Sequence, residues 1–235
     1  MLIGGINTLT LLDFPGKVSC IIFTAGCNFR CGFCHNPQFV LTENIKKLTG
    51  HFIPEEKILS FLDSRKGFLD GIVISGGEPT IQPDLLNFIR KIRAKKILVK
   101  LDTNGTLPDV LEKIIKENLI DYFAMDIKAS VQNYEKICGI NLDTKKIEKS
   151  KNLILNSGIP HEFRTTVIKN LHDEQEIEAI TKFCEGADLY TIQNFRNQKV
   201  LDKKYENFQG FSEEDLEKFK NIAKKYIKKV NILKN

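Results

Sequence analysis

Residues 26–37 read GCNFRCGFCHNP and bring Cys27, Cys31 and Cys34 into one short stretch. Cysteines spaced C-x-x-x-C-x-x-C lie on a loop short enough to wrap a cuboidal cluster, each thiolate binding a different iron of one [4Fe-4S] unit. Three ligands leave one iron open. An open corner can bind and reduce a substrate or cofactor, whereas a fourth cysteine would close the cluster for electron transfer alone. Structural zinc, with His35 as the fourth ligand, is the alternative. Adjacent Cys34 and His35 can hardly point at one metal from a tight loop, and the chain has no second half-site.

The other residue types suited to chemistry fall into four short groups: Gly76-Gly77-Glu78-Pro79, Asp102-Thr103-Asn104-Gly105, Asp126-Ile127-Lys128, and Arg164. Glycines at 76 and 77 let the backbone approach a ligand with no Cβ in the way, although a Gly-Gly pair also serves as a plain turn. Asp102 and Asp126 each end an apolar run. If their carboxylates converge they need a cation, a proton or a hydrogen-bond donor to coexist, and for each charge the plainer alternative is an ion pair at the surface.

These groups need elements to carry them. Apolar, β-branched runs predict strands at residues 18–24, 71–75, 97–101, 122–127, 161–168 and 189–193. Helices are predicted at 54–62, 83–94, 109–117, 144–156 and 174–184, with 36–51 irregular and 4–17 a short extended segment closed by Asp13-Phe14-Pro15-Gly16. Strands alternating with helices make an α/β fold with a parallel sheet. Six such units without G-x-G-x-x-G after the first strand suit an open partial (β/α)6 barrel better than a doubly wound sheet. The chemistry-bearing groups would then gather at strand ends, where parallel α/β folds build their sites.

The cysteine spacing, with aromatic Phe33 before the last cysteine, resembles the radical S-adenosylmethionine (SAM) superfamily. The HNP tail makes it similar to the glycyl-radical-enzyme activating proteins, most of all the branch that activates the anaerobic ribonucleoside-triphosphate reductase. The resemblance spans residues 4–195. It implies a radical SAM type partial barrel, one [4Fe-4S] cluster on Cys27, Cys31 and Cys34, and SAM as cofactor. It puts Gly76, Gly77 and Glu78 at the amino group of SAM, and Asp102, Thr103 and Asp126 on a monovalent cation. Lys128 and Arg164 would reach the methionine carboxylate or the acidic site beside it. Phe33 and Asn36 would border the adenine and sulfonium, and Asn104 would contact SAM. Gln193 stands where relatives often place a histidine, and Asp13 would meet the glycine loop of the partner, although Phe14 departs from the DGPG-like pattern.

The implied reaction is reductive cleavage of SAM to methionine and a 5′-deoxyadenosyl radical, which takes hydrogen from a glycine Cα of the partner. No residue is then needed as general acid, base or nucleophile. An electron donor of flavodoxin or ferredoxin type is implied. Rival readings are a pyruvate formate-lyase type partner, a small-molecule substrate, and an iron-sulfur electron carrier without SAM chemistry.

The chain has 235 residues, 42% hydrophobic and 28% charged, which fits one domain over 1–235 with a core at 18–195. A net charge of +5 with interspersed signs gives no nucleic-acid footprint. No apolar stretch approaches the ~20 residues of a membrane span, and residues 1–16 carry no secretion signature, so the expected location is the cytoplasm. Cys20, Cys138 and Cys184 read as buried thiols of a reducing compartment. The basic stretch 218–234 reads as a solvated helix within a helical segment at 212–230, with Ile222, Ala223, Tyr226 and Ile227 facing inward.

Overall fold

A computed structural model describes residues 1–48 and 50–233. Its strands are β1 (Ile3–Thr10), β2 (Ser19–Thr24), β3 (Gly71–Gly76), β4 (Leu98–Thr103), β5 (Tyr122–Asp126), β6 (His161–Val167), β7 (Leu189–Asn194) and β8 (Val230–Leu233). The helices are α1 (Thr42–Leu48), α2 (Glu55–Ser64), α3 (Leu85–Arg93), α4 (Pro108–Lys116), α5 (Tyr134–Cys138), α6 (Thr144–Leu155), α7 (Glu174–Phe183) and α8 (Glu213–Ala223). Strand order is chain order, β1 to β8, and the series does not close on itself. All six expected strands are present, β2 to β7, within one or two residues of the expected ends.

The chain divides into two compact units. The first holds Met1–Asn28, Asn36–Thr103 and Leu107–Phe123; the second holds Phe29–His35, Asn104–Thr106 and the chain from Ala124 onward.

In the first unit β1 runs antiparallel to β2, and β2, β3 and β4 are parallel. The link from β1 to β2 turns at Pro15 and Gly16, where Lys17 N–H donates to Phe14 O at 3.0 Å and Gly16 takes φ +68°. Proline followed by a left-handed glycine is what a type II turn requires. Phe14 is buried below this turn, its ring 6.1 Å from that of Tyr122. Alternation along β3 and β4 buries Ile72, Ile74, Val99 and Leu101 on one face and leaves Val73, Ser75, Lys100 and Asp102 on the other. Helix α3 buries Leu85, Phe88, Ile89 and Ile92, the spacing of one helical face, with Arg90, Lys91 and Arg93 in its last turn.

In the second unit β6, β7 and β8 are parallel, and the register sets Arg164 beside Thr191 and Thr166 beside Gln193. Helix α7 is capped by Asp173, whose carboxylate accepts from Glu176 N–H at 2.7 Å.

Three expectations need correction. Residues 4–17 include a full strand, β1, and the stretch 36–51 contains a 3-10 turn at Pro37–Phe39 and α1, with Thr49 outside the described residues. The C-terminal helix ends at Ala223 and not near 230; Val230–Leu233 is a strand paired with β7. Ala223 and Ile227 are buried as expected, whereas Ile222 and Tyr226 are half-buried, and Lys234 lies outside the described residues. The lysines disguised this strand: a four-residue element pairing one edge needs only alternating Val230 and Ile232. Among the described residues no helix is long and apolar enough to cross a membrane.

Candidate functional site

In the first unit β3 ends in a tight crossing of backbones. Gly76 has φ +118°, closed to side-chain-bearing residues, and a Cβ there would meet the backbone of Thr24. A Cβ on Gly77 would run into the carbonyl of Gly26, the residue before Cys27. The crossing is held by Gly77 N–H to Thr24 O and Glu78 N–H to Gly26 O, both 2.8 Å. These glycines therefore do more than turn the chain: they let β3 lie directly against the start of the cysteine loop. Cys27 itself is half-buried.

Glu78 is 1% exposed, and its Oε1 accepts from Thr80 N–H at 3.1 Å, Thr80 Oγ1 at 2.5 Å and Thr103 Oγ1 at 2.8 Å. Asp102, next along β4, turns the other way, as neighbours on a strand must. Its Oδ2 accepts from Ser75 Oγ at 3.0 Å, and Lys100 Nζ stands 3.8 Å from Oδ1. Lys100 is 2% exposed and donates to the carbonyl of Asp13 at 2.6 Å, over the Tyr122 ring. The Asp13 carboxylate accepts from Thr10 Oγ1 at 2.6 Å. Asn36 leads into the Pro37–Phe39 turn, and its carbonyl accepts from Phe39 N–H at 3.0 Å.

In the second unit the segment Phe29–His35 carries Cys31, buried, and Cys34, half-buried, joined through Cys34 N–H to Cys31 O at 3.1 Å. Phe33 lies 6.1 Å from the Tyr205 ring, and a side chain on Gly32 would land on that same ring. His35 stacks on Phe195 at 5.5 Å, and its Nε2 meets Arg196 O at 2.8 Å. Asn104 Oδ1 accepts from Thr106 N–H at 3.0 Å and Thr106 Oγ1 at 2.7 Å, and Gly105 takes φ +75° against Met125. The turn chemistry of Asn-Gly accounts for that geometry.

Asp126 is the electrostatic centre of this unit. Lys128 Nζ lies 2.9 Å from Oδ2 and Arg164 Nε 2.9 Å from Oδ1. Burial alone would raise its pKa, but the attraction of Arg164 and then of Lys128 outweighs it and lowers the carboxyl from 3.8 to about 2. Burial opposes the charge on Lys128, and Asp126 overcomes it, so the ammonium is held more firmly than usual. The Cys31 thiol is lowered first by a hydrogen bond from Cys138, against its burial, with Lys128 also helping. Gln193 Oε1 accepts from Thr166 Oγ1 at 3.3 Å. Cys20 and Cys184 are buried and raised by desolvation, Cys20 to about 12.

Lys100, Ser75, Thr80 and Tyr205 take part without having been singled out in the sequence, and Cys138, expected as a buried thiol, is buried. A lysine inside the apolar run ILVKLDT was a readable signal; the others carried none. None of Cys27, Cys31 and Cys34 is in a disulfide, and cysteine thiolates are the ligands that an iron-sulfur cluster takes; Cys27 belongs to the first unit, Cys31 and Cys34 to the second.

The radical SAM superfamily model matches residues 21–184. A protein of Methanocaldococcus jannaschii named as a glycyl-radical enzyme activating enzyme is 38% identical over 236 residues, covering 98% of this chain and 95% of that protein. The pyruvate formate-lyase-activating enzyme of Clostridium pasteurianum is 28% identical, covering 85% of this chain and 79% of its own. Among solved structures, Streptococcus suis SuiB bound to S-adenosylmethionine superposes with a TM-score of 0.63 at 17% identity, over 91% of this chain and 48% of that one.

Proposed function

The chain belongs to the radical SAM superfamily, and from that premise we propose that it activates a glycyl-radical enzyme, the anaerobic ribonucleoside-triphosphate reductase. Membership makes it a radical SAM oxidoreductase with a [4Fe-4S] cluster and SAM as cofactors. The activating role is carried by the M. jannaschii relative, which matches along nearly the whole of both chains. The reductase as target is supported by the motif resemblance around His35-Asn36-Pro37. A pyruvate formate-lyase type partner is the second reading, favoured by the C. pasteurianum relative.

Cys27, Cys31 and Cys34 would hold the cluster. When bound, the cluster and SAM supply one-electron cleavage of the sulfonium and removal of hydrogen from a glycine Cα. The chain's own part is to bind, orient and exclude water. Gly76 and Gly77 offer bare backbone, and Glu78, held still by Thr80 and Thr103, gives the amino group an acceptor. Lys128 and Arg164 are the cations assigned to the methionine carboxylate, steadied from behind by Asp126. Asp102, Thr103 and Asp126 are assigned to a monovalent cation, Phe33, Asn36, Asn104 and Gln193 to the rest of SAM, and Asp13 to the partner's glycine loop. A flavodoxin- or ferredoxin-like protein would supply the electron.

The test is anaerobic electron paramagnetic resonance of cluster-loaded protein with SAM, dithionite and purified anaerobic reductase, with 5′-deoxyadenosine measured in parallel. A glycyl doublet on the reductase is the expected result. A doublet only on pyruvate formate-lyase would transfer the assignment to the second reading. Deoxyadenosine without a doublet on either would point to a small-molecule substrate, and no deoxyadenosine from an intact cluster would refute the reading.

A further inference from the structure

In the second unit the chain between β7 and α8, residues 195–210, closes over the cysteine turn. It leaves and returns through one side chain: Asn194 Nδ2 donates to Phe211 O at 2.9 Å, and Asn194 Oδ1 accepts from Phe211 N–H at 2.8 Å. A Cβ on Gly210 would strike Asn194 Oδ1 and the carbonyl of Phe195, so the two ends lie too close for a side chain there. Lys169 N–H, just after β6, donates to Gln209 O at 2.9 Å and ties down the returning end. A segment closed at its base in this way is an Ω-loop. Its 3-10 turn, Lys203–Asn207, buries Tyr205, whose ring stands 4.8 Å from that of Phe208 and 6.1 Å from that of Phe33. Asp202 N–H donates to Gly32 O at 2.9 Å, and Tyr205 N–H donates to Asp202 O at 3.0 Å. One turn of the loop therefore grips Gly32 twice, by its carbonyl and by the Tyr205 ring.

The three atoms nearest to a Cβ on Gly32 would all be carbons of the Tyr205 ring. Gly32 does not take a left-handed φ, so the ring and not the backbone calls for glycine at this position. On either side of the gripped residue stand Cys31 and, beyond Phe33, Cys34, whose N–H closes the turn on Cys31 O at 3.1 Å. We propose that Tyr205 is a positioning residue for the cluster: its ring fixes the turn between Cys31 and Cys34 before the cluster binds, and thereby slows the cluster's loss. Glycine has more conformational freedom to lose than any other residue. Ordering it during folding instead of during binding strengthens what the ordered groups then hold. Ring carbons make the contact, so the hydroxyl is not needed.

The inference rests on Cys31 and Cys34 being cluster ligands, and the test separates the two claims. Wild type, Cys31→Ala, Tyr205→Phe, Tyr205→Ala, Gly32→Ala and the double variant Gly32→Ala with Tyr205→Ala are reconstituted anaerobically. Iron and sulfide are assayed, and iron release to excess chelator is followed without SAM. Melting of the cluster-free proteins checks the fold; should Tyr205→Ala not fold or load, Tyr205→Leu, which refills part of the space, replaces it. Tyr205→Ala should release iron about fivefold faster than wild type, as loss of one aromatic pair implies. Tyr205→Phe, which keeps the ring, should match wild type. Gly32→Ala should speed release beside Tyr205 and add nothing beside Tyr205→Ala, because its Cβ then has room. Wild-type release from Tyr205→Ala overturns the proposal. So does equal acceleration in Tyr205→Phe, or additivity of the Gly32 and Tyr205 substitutions, which would mark a general loss of stability. A Cys31→Ala protein with undiminished cluster would instead overturn the ligand assignment.

Discussion

Replacing Asp126 by asparagine in the cluster-free protein tests the electrostatic reading of the second unit directly. The carboxylate touches Lys128 and Arg164 at 2.9 Å each, and its side chain is 25% exposed. Lowering its pKa from 3.8 to about 2 corresponds to about 2 kcal/mol of net interaction, at 1.36 kcal/mol per unit. Asp126→Asn loses that interaction and also leaves two cations short of their counter-charge, so a cost of about 2–4 kcal/mol follows. Urea denaturation at pH 7 reads it as a fall in midpoint at unchanged slope. The pH dependence has a definite sign. Because the folded pKa is depressed, wild type carries the full contribution above the unfolded value near 3.9 and loses it as pH falls toward 2. Asp126→Asn lacks that component, so the difference between the two proteins should shrink from pH 5 to pH 2. A variant within about 0.5 kcal/mol of wild type at pH 7, the scatter of ordinary surface changes, would refute the account.

Two further predictions concern the first unit. Gly77→Ala should cost about 1–3 kcal/mol and lower iron retention, because its Cβ meets the backbone beside Cys27 and not a flexible side chain; wild-type melting temperature and iron content together would contradict this. Lys100→Met removes the ammonium that holds the Asp13 carbonyl at 2.6 Å, so hydrogen exchange across residues 13–17 should accelerate, and unchanged protection there would show the turn to be held by Phe14 alone.

What could be read from the sequence followed from local chemistry. The strands β2 to β7 announce themselves as short β-branched runs, and the Asn104-Gly105 turn follows from side-chain capping and left-handed φ. Edge elements were harder. β1 begins with Ile3-Gly4-Gly5, and Gly4 is required because a Cβ would strike the ring of Phe39, a contact 35 residues away in sequence and invisible to periodicity. The same limit hid the environment of Cys138, whose neighbour Cys31 comes from a different loop, and the grip of Thr103 on Glu78, 25 residues apart. Local pattern specifies what a residue is able to do; the long-range partner decides which of those things it does.

The two faces of the strands differ in what they bury. A parallel strand covered on both faces reads as a continuous apolar run, and β3 begins that way with Gly71-Ile72-Val73-Ile74. Two other strands depart from it. On β4 buried Val99 and Leu101 alternate with Lys100 and Asp102, and on β6 buried Phe163, Thr165 and Val167 alternate with Glu162, Arg164 and Thr166. Burying Lys100 and Glu162 costs free energy unless each finds a partner, and each has one, in the carbonyl of Asp13 and the hydroxyl of Thr191. An apolar face would hold the sheet together more simply, so the polar face is not there for stability. Its pairing also explains how the fold persists at 17% identity to SuiB: the apolar face needs only volume and pattern, which many sequences satisfy, while the charged face must keep particular partners together.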